Sequence, residues 1–377
     1  MLTRRSLLTA LLSPAAPTGA DAVVVAVFLR GGADGLSLIA PVGDDDYHRL
    51  RPTLALRDAI DADGFFGLHR ELAPLYGRFR DGELAVVHAV GSDDSTRSHF
   101  EAQDRMEHAG PNGRPASSGW LARLAGELGG ARGGLACVAL GTATPEALRG
   151  AASVAVFESA REHRVGADDA YVRSLAALYR APDALGAAGR DALATLDRLR
   201  DLPETRRGAR YPEGRFGARL AELARLIRAR VGVRAACVDL DGWDTHFVQA
   251  EGFSAKARAL AEGLDAFAAD LGDHLGRVTV LVMTEFGRRA YENGSLGTDH
   301  GRGSALLALG AGVRGGRVLG RWPGLGSGAL EPPGDLAVTT DYRCVLAELV
   351  ERRFPEVVRS RVLSGVPETR LGVFSGL

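Results

Sequence analysis

Two kinds of hydrophobic pattern alternate along the chain. A continuous apolar run, rich in β-branched residues, occupies positions 22–29, and similar, mostly apolar runs recur at 84–90, 135–140, 235–240, 278–283 and 305–309. A strand with no polar alternation has both faces covered, as in a parallel sheet packed between helices. Between the runs lie segments with helical spacing. Residues 216–231 place Leu220, Leu223, Leu226 and Ile227 on one stripe, and residues 254–271 do the same with Leu260, Leu264, Phe267 and Leu271; arginines fill much of the remainder of the first segment. Strand and helix in alternation predict an α/β sandwich with a mostly parallel central sheet and helices on both faces. Glycine and proline near 111–118 and 310–328 predict loops. With no internal repeat, coiled coil or low-complexity stretch, one domain over residues 21–377 is the expected organisation.

Composition changes this picture little. The chain has 377 residues, 46% hydrophobic and 25% charged, with a formal net charge of -1. That is a globular composition with no overall electrostatic pull toward nucleic acid or anionic lipid. Lys256 is the only lysine among 46 basic residues, which reads as the codon bias of a GC-rich bacterial genome rather than as a basic surface. Residues 1–20 stand apart: Thr3-Arg4-Arg5-Ser6-Leu7-Leu8 opens a short apolar run followed by small residues and prolines. The arrangement resembles a twin-arginine export signal, which predicts a periplasmic or otherwise exported protein. No run approaches the ~20 apolar residues of a membrane span, so no stable membrane insertion is expected. Cys137, Cys237 and Cys344 lack the close spacing of a thiolate metal site. The first and second lie in apolar runs and are expected to be buried thiols.

Ligand sites in open α/β sheets lie beyond the carboxyl ends of the strands, and there the sequence gathers its chemistry. Asp34 follows the first run, and Arg97-Ser98-His99 follows the second. Asp241, Asp244 and His246 follow the run at 235–240, Glu285 follows the run at 278–283, and Asp299-His300 precedes the last run. Asp, Glu and His drawn from separate loops suit a divalent metal ion, whether zinc, calcium, magnesium or manganese. Asp244 and His246, two residues apart on an extended segment, point the same way. The metal-ligand candidates are Asp34, Asp241, Asp244, His246, Glu285 and His300. Ser98, at the start of a helix expected near Phe100, is either a nucleophile beside helix N-terminal amides or a local helix cap. His99 is a base, a ligand or a loop-fixing residue. Arg97, Arg288 and Arg302 could hold an anionic group.

Seven ordered motifs carry a family resemblance: Val27-Phe28-Leu29-Arg30-Gly31-Gly32-Ala33-Asp34-Gly35-Leu36, Leu68-His69, Arg97-Ser98-His99-Phe100-Glu101-Ala102-Gln103, Ser118-Gly119-Trp120-Leu121, Gly242-Trp243-Asp244-Thr245-His246, Thr284-Glu285-Phe286-Gly287-Arg288 and Asp299-His300-Gly301. Together they resemble the bacterial family called domain of unknown function 1501, from about residue 22 to the end. That family is regarded as part of the alkaline phosphatase and sulfatase superfamily, so the resemblance implies an alkaline phosphatase-like fold, a divalent metal and an anionic ester substrate. In the superfamily pattern Asp34 matches the first metal aspartate, Ser98 the nucleophile, Asp244 and His246 the loop pair, with Asp241 as a substitute for Asp244, and His300 the last histidine. Glu285-Phe286 stands where an Asp-His pair is usual, and Phe286 cannot ligate a metal. Two readings follow: an exported metal-dependent hydrolase of phosphate or sulfate esters, with Ser98, Arg97 and His99 as catalytic residues, or a non-catalytic periplasmic binding or assembly protein on the same fold.

Overall fold

A computed structural model describes residues 21–111, 116–128, 135–159, 169–200, 202, 206 and 209–376. The export signal read at residues 1–20 lies outside the described residues. The described strands are β1 (Val23–Arg30), β2 (Ile39–Ala40), β3 (Ile60–Asp61), β4 (Gly67–Leu68), β5 (Leu84–Gly91), β6 (Cys137–Leu140), β7 (Ala155–Phe157), β8 (Ala235–Asp241), β9 (Val278–Met283), β10 (Ser304–Gly310), β11 (Val318–Leu319) and β12 (Thr340–Asp341). The main sheet runs β11-β5-β10-β9-β1-β8-β6-β7, with β12 also on β5, and β2-β4-β3 form a small second sheet. Pairing in the main sheet is parallel except where β10 lies antiparallel to both β5 and β9.

The unbroken hydrophobicity of β1 is resolved by its pleat. Val23, Val25, Val27 and Leu29 face one core with Leu220, Leu223, Leu260, Leu264 and Phe267 from the helices Arg215–Arg228 and Gln249–Leu271. Ala22, Val24, Ala26 and Phe28 face a second core with Met106, Leu121, Leu124, Leu346 and Leu349 from the helices His99–His108, Trp120–Glu127 and Tyr342–Arg353. Period-two side chains thus feed two helical layers, as a mixed α/β sheet with both faces covered requires. Each leucine or phenylalanine buried between the layers contributes roughly 1.5–3 kcal/mol.

The helix expected at 254–271 begins earlier, at Gln249, and the one expected at 216–231 ends earlier, at Arg228. The latter stops where Arg230 and Gly232 take positive φ, which breaks the helical repeat. Cys137, Cys237 and Cys344 are all buried and free of disulfides. Among the described residues, no helix is long and apolar enough to cross a membrane.

The antiparallel strand matters for function. Because β10 runs against its neighbours, the loop leading into it reaches the same sheet edge as the loops leaving β1, β5, β8 and β9. Residues 297–303 therefore meet residues 31–34, 92–99, 242–246 and 284–288.

Candidate metal centre

Two glycines let these loops close on one another. Gly31, at φ +119°, sits so near the β8 loop that an added Cβ would lie 2.5 Å from the Asp244 nitrogen. Gly32, at φ +67°, would drive a Cβ into the Phe286 ring, so both positions exclude side chains on conformation and on space. The β9 loop and the loop before β10 form a short ladder: Gly301 N donates to Gly287 O at 2.9 Å, and Gly287 N donates to Arg302 O at 2.9 Å. Thr298 N donates to Thr245 O at 3.1 Å, and Gln249 N donates to Leu296 O at 2.8 Å, fixing the β10 loop on the β8 loop.

His99, Asp244, His246 and His300 meet there. The His246 and His300 Nε2 atoms are 3.0 Å apart, and Asp244 Oδ1 lies 3.1 Å from His300 Nε2 and 3.2 Å from His246 Nε2. His99 Nε2 is 3.5 Å from Asp244 Oδ2, is buried and has no hydrogen-bond partner. Each imidazole is held from behind through Nδ1. His99 Nδ1 lies 2.8 Å from Glu285 Oε1, His246 Nδ1 3.3 Å from Asp299 Oδ1, and His300 Nδ1 2.9 Å from the Arg97 carbonyl oxygen. An acceptor at Nδ1 selects the tautomer whose Nε2 carries a lone pair. His99, Asp244 and His300 bring ligand atoms within 4.8 Å of one another, and His246 Nε2 adjoins Asp244 and His300. Two ligands on one ion at bonds of about 2 Å stand roughly 2.9 Å apart at a right angle and about 3.3 Å apart in a tetrahedron, which matches the spacings among Asp244, His246 and His300.

The electrostatics follow from the neighbours. Burial opposes ionisation of Asp244, but the Arg288 guanidinium, 2.6 Å from Oδ1, outweighs it and brings the carboxyl down to about 2. The hydrogen bond to Glu285 raises His99 above the ordinary histidine value, against burial. Burial, followed by the Arg288 charge, lowers His300. For Glu285, burial acts upward, while hydrogen bonds from His99, Gln103 and Gly31 N carry the carboxyl below its ordinary value.

Several expectations from the sequence are redirected. Asp34 is fully buried away from the imidazoles: Arg51 grips it through Nη1–Oδ2 at 2.5 Å and Nη2–Oδ1 at 3.0 Å, and Ser37 Oγ and Gln249 Nε2 each donate to Oδ2 at 2.6 Å. Its four oxygen lone-pair sites are committed to the protein, which removes it from the converging set. Glu285 backs His99 instead of facing the centre, because Gly31 N and Gln103 anchor the same oxygen. Asp241 is exposed and lines a separate groove with Arg215 and Arg219; the strand pleat turns it from Asp244. The Arg97 side chain binds Asp335 and the Pro332 carbonyl, so only its carbonyl serves the centre. Arg288 spends its donors on the carbonyls of Gly31, Gly32, Trp243 and Thr298 and on Asp244, and Arg302 binds Glu331 and the Ser92 carbonyl. None of the three is a ready anion clamp. Ser98 is half-buried at the start of the helix His99–His108 and makes no side-chain cap bond. Phe286 lies against His99 and His300, with centroids 4.8 and 4.9 Å away.

Sequence reasoning assigned no role to Gln103, Asp299 or Gln249. Gln103 lies four residues after His99 on a helix, a spacing that shares a face, and Asp299 adjoins His300, so both had a local signal. Gln249 did not: its Oε1 accepts from Thr245 Oγ1 at 2.9 Å and Thr298 Oγ1 at 2.6 Å while its amide holds Asp34.

A family model described as "Protein of unknown function (DUF1501)" matches residues 85–346. The chain belongs to this family. No curated protein matches this DUF1501 member. Among solved structures it is similar to the alkaline phosphatase of the Antarctic bacterium TAB5, at 11% identity and TM-score 0.30, over 77% of this chain and 92% of that one. A variant of that TAB5 enzyme with Mg bound is similar at 13% identity and TM-score 0.31, over 77% of this chain and 91% of the other.

Proposed function

We propose that the chain is a metal-dependent hydrolase of phosphate or sulfate esters, holding one divalent ion with His99, Asp244, His246 and His300. The observation that carries this reading is the pair of Nε2 atoms 3.0 Å apart, both with Nδ1 on an acceptor. Two imidazole nitrogens at that distance share either a proton or a metal ion, and the buried Nε2 of His99, which has no hydrogen-bond partner, favours the metal ion. When bound, such an ion neutralises charge on an ester oxygen and lowers the pKa of a coordinated hydroxyl. Glu285, Asp299 and the Arg97 carbonyl orient the imidazoles. Arg288 keeps Asp244 ionised. Ser98, between the residues that hold and supply two of the imidazoles, is the nucleophile of this reading: its Oγ bonds to phosphorus or sulfur as the alcohol leaves, and water then releases the acid. Residues 1–20 are proposed as a twin-arginine signal that exports residues 21–377.

One observation favours a second reading. His246 stands beside the group of His99, Asp244 and His300, and a full set of four protein ligands marks structural rather than catalytic zinc sites. In that reading the chain is a non-catalytic exported binding or assembly protein with one ion bracing four loops. Elemental analysis of the wild type, His246→Ala and Ser98→Ala, with assays on generic phosphate and sulfate esters, separates the two. The hydrolase requires metal in the wild type, less in His246→Ala, and full metal without turnover in Ser98→Ala. Metal with the same melting-temperature gain in the wild type and Ser98→Ala, and turnover in neither, favours the second. A wild type that binds none of zinc, manganese, magnesium or calcium and hydrolyses nothing overturns the metal centre.

A further inference from the structure

Seven large hydrophobic side chains are exposed among the described residues, and four of them, Phe100, Phe247, Val248 and Leu296, lie within four residues in sequence of an imidazole of the proposed metal centre. Phe100 follows His99, and Phe247 and Val248 follow His246. Leu296 is brought beside them because Val248 N donates to Ser295 O at 3.0 Å and Gln249 N donates to Leu296 O at 2.8 Å. Scattered exposed hydrophobics need no explanation, whereas a concentration around a polar centre does.

Backbone conformation sharpens the point. Val248 has φ 41° and Leu296 has φ 57°, in the left-handed region that disfavours bulky residues and β-branched ones most. Val248 is also the residue preceding the helix Gln249–Leu271 and has no side-chain cap bond, at a position where Ser, Thr, Asn, Asp or Gly serves better. Valine suits neither the dihedral nor the cap. What it adds is an exposed isopropyl group beside His246. Strain held at a site edge is a pointer to function.

Resting on the metal-hydrolase reading, we infer that these four residues form an apolar rim for the alkyl or aryl group of a soluble phosphate or sulfate monoester, whose anionic head sits at the metal centre. Charge supports that order of parts. A dication set among three imidazoles, with Asp244 already paired to Arg288, leaves a positive centre for the head, and the chain passes directly from His99 to Phe100 and from His246 to Phe247. The rim thereby sets specificity: small esters bind through the head alone, and each methylene buried on the rim adds roughly fourfold in affinity.

Inert phosphonates test this by calorimetry on metal-loaded full-length protein, using methyl-, hexyl- and decylphosphonate. The wild type should bind decylphosphonate at least tenfold more tightly than methylphosphonate. Phe247→Ser combined with Leu296→Ser should abolish that ratio while retaining methylphosphonate affinity and metal content. Val248→Gly should bind decylphosphonate more weakly than the wild type and melt no lower, since glycine accepts both the dihedral and the cap. Equal affinity across chain lengths in the wild type, or a chain-length effect that survives both variants, overturns the rim. Binding of the wild type to neutral phosphatidylcholine vesicles, lost in the same variants, overturns it in favour of a membrane contact. Failure of methylphosphonate alone, with the rim-dependent gain for decylphosphonate intact, counts against the metal-ester reading and not the rim; failure of all three phosphonates overturns both.

Discussion

Asp34→Asn separates the role that motif position suggests for this aspartate from the role its contacts give it. Asp34 and Arg51 are both fully buried and paired through two bonds, with Ser37, Gln249 and Leu36 N supplying further donors. Asparagine keeps the size but turns one oxygen into an amide that faces Arg51 Nη1. Ser37 and Gln249 can reorient, but the guanidinium cannot become neutral, so a buried positive charge is left without its counter-ion. Breaking a buried pair in this way costs about 3–5 kcal/mol. Equilibrium urea unfolding of metal-free protein should show that loss, while metal stoichiometry at saturating ion stays at the wild-type value. Burial acts upward on the Asp34 carboxyl, but the Arg51 charge and hydrogen bonds win and hold it below its ordinary value. A carboxyl depressed in the folded state stabilises above its unfolded value, about 3.9, and loses that contribution as pH falls toward the folded one. The wild type should therefore exceed the variant by a constant margin from pH 8 to pH 5, and the margin should shrink below about pH 4. An asparagine variant with wild-type stability and no metal would refute the reasoning and return Asp34 to the ligand set.

Glu285→Gln should weaken metal binding by about 10–100-fold, the usual effect of losing a carboxylate behind a ligating histidine, measured by competition with a chromogenic chelator. In the metal-free protein the same change should lower the His99 titration midpoint seen by NMR, because the Glu285 hydrogen bond is the largest influence raising it; an unchanged midpoint would remove Glu285 as its partner. Ser98→Ala should change stability by less than the ~1 kcal/mol typical of a lost cap, since Ser98 makes no side-chain cap bond, and urea unfolding checks this. Cys137 and Cys237 should react slowly with a thiol reagent until denaturant is added, because burial raises the first thiol to about 11 and the second well above its ordinary value; rapid reaction of both in native protein would contradict their placement in the strands.

The six long strands of the central sheet were legible because a strand buried on both faces leaves a mostly apolar run, whereas the short edge strands β7, β11 and β12 left none, and β11 lies in the segment expected to be a loop. The site edge was legible because loops follow strands. Which atom of each residue faces the centre was not. Asp34 and Asp244 look alike in sequence, each an acid in a glycine-bearing loop after a strand. The difference is Arg51, a distant residue with no motif, whose guanidinium takes both oxygens of Asp34. Glu285 likewise sits at the expected strand end, yet its Oε1 is claimed by Gly31 N, Gln103 and His99, and its Oε2 accepts from Thr284 Oγ1. Carboxylates at strand ends can serve as ligands or as the groups that orient ligands, and residue type does not distinguish the roles. The deciding quantity is how many donors already reach each oxygen, set by packing between segments that are far apart in sequence. Imidazoles are more readable, since a histidine with one nitrogen tied must offer the other. His246 and His300, joined by His99, therefore define the centre more firmly than the acids around them.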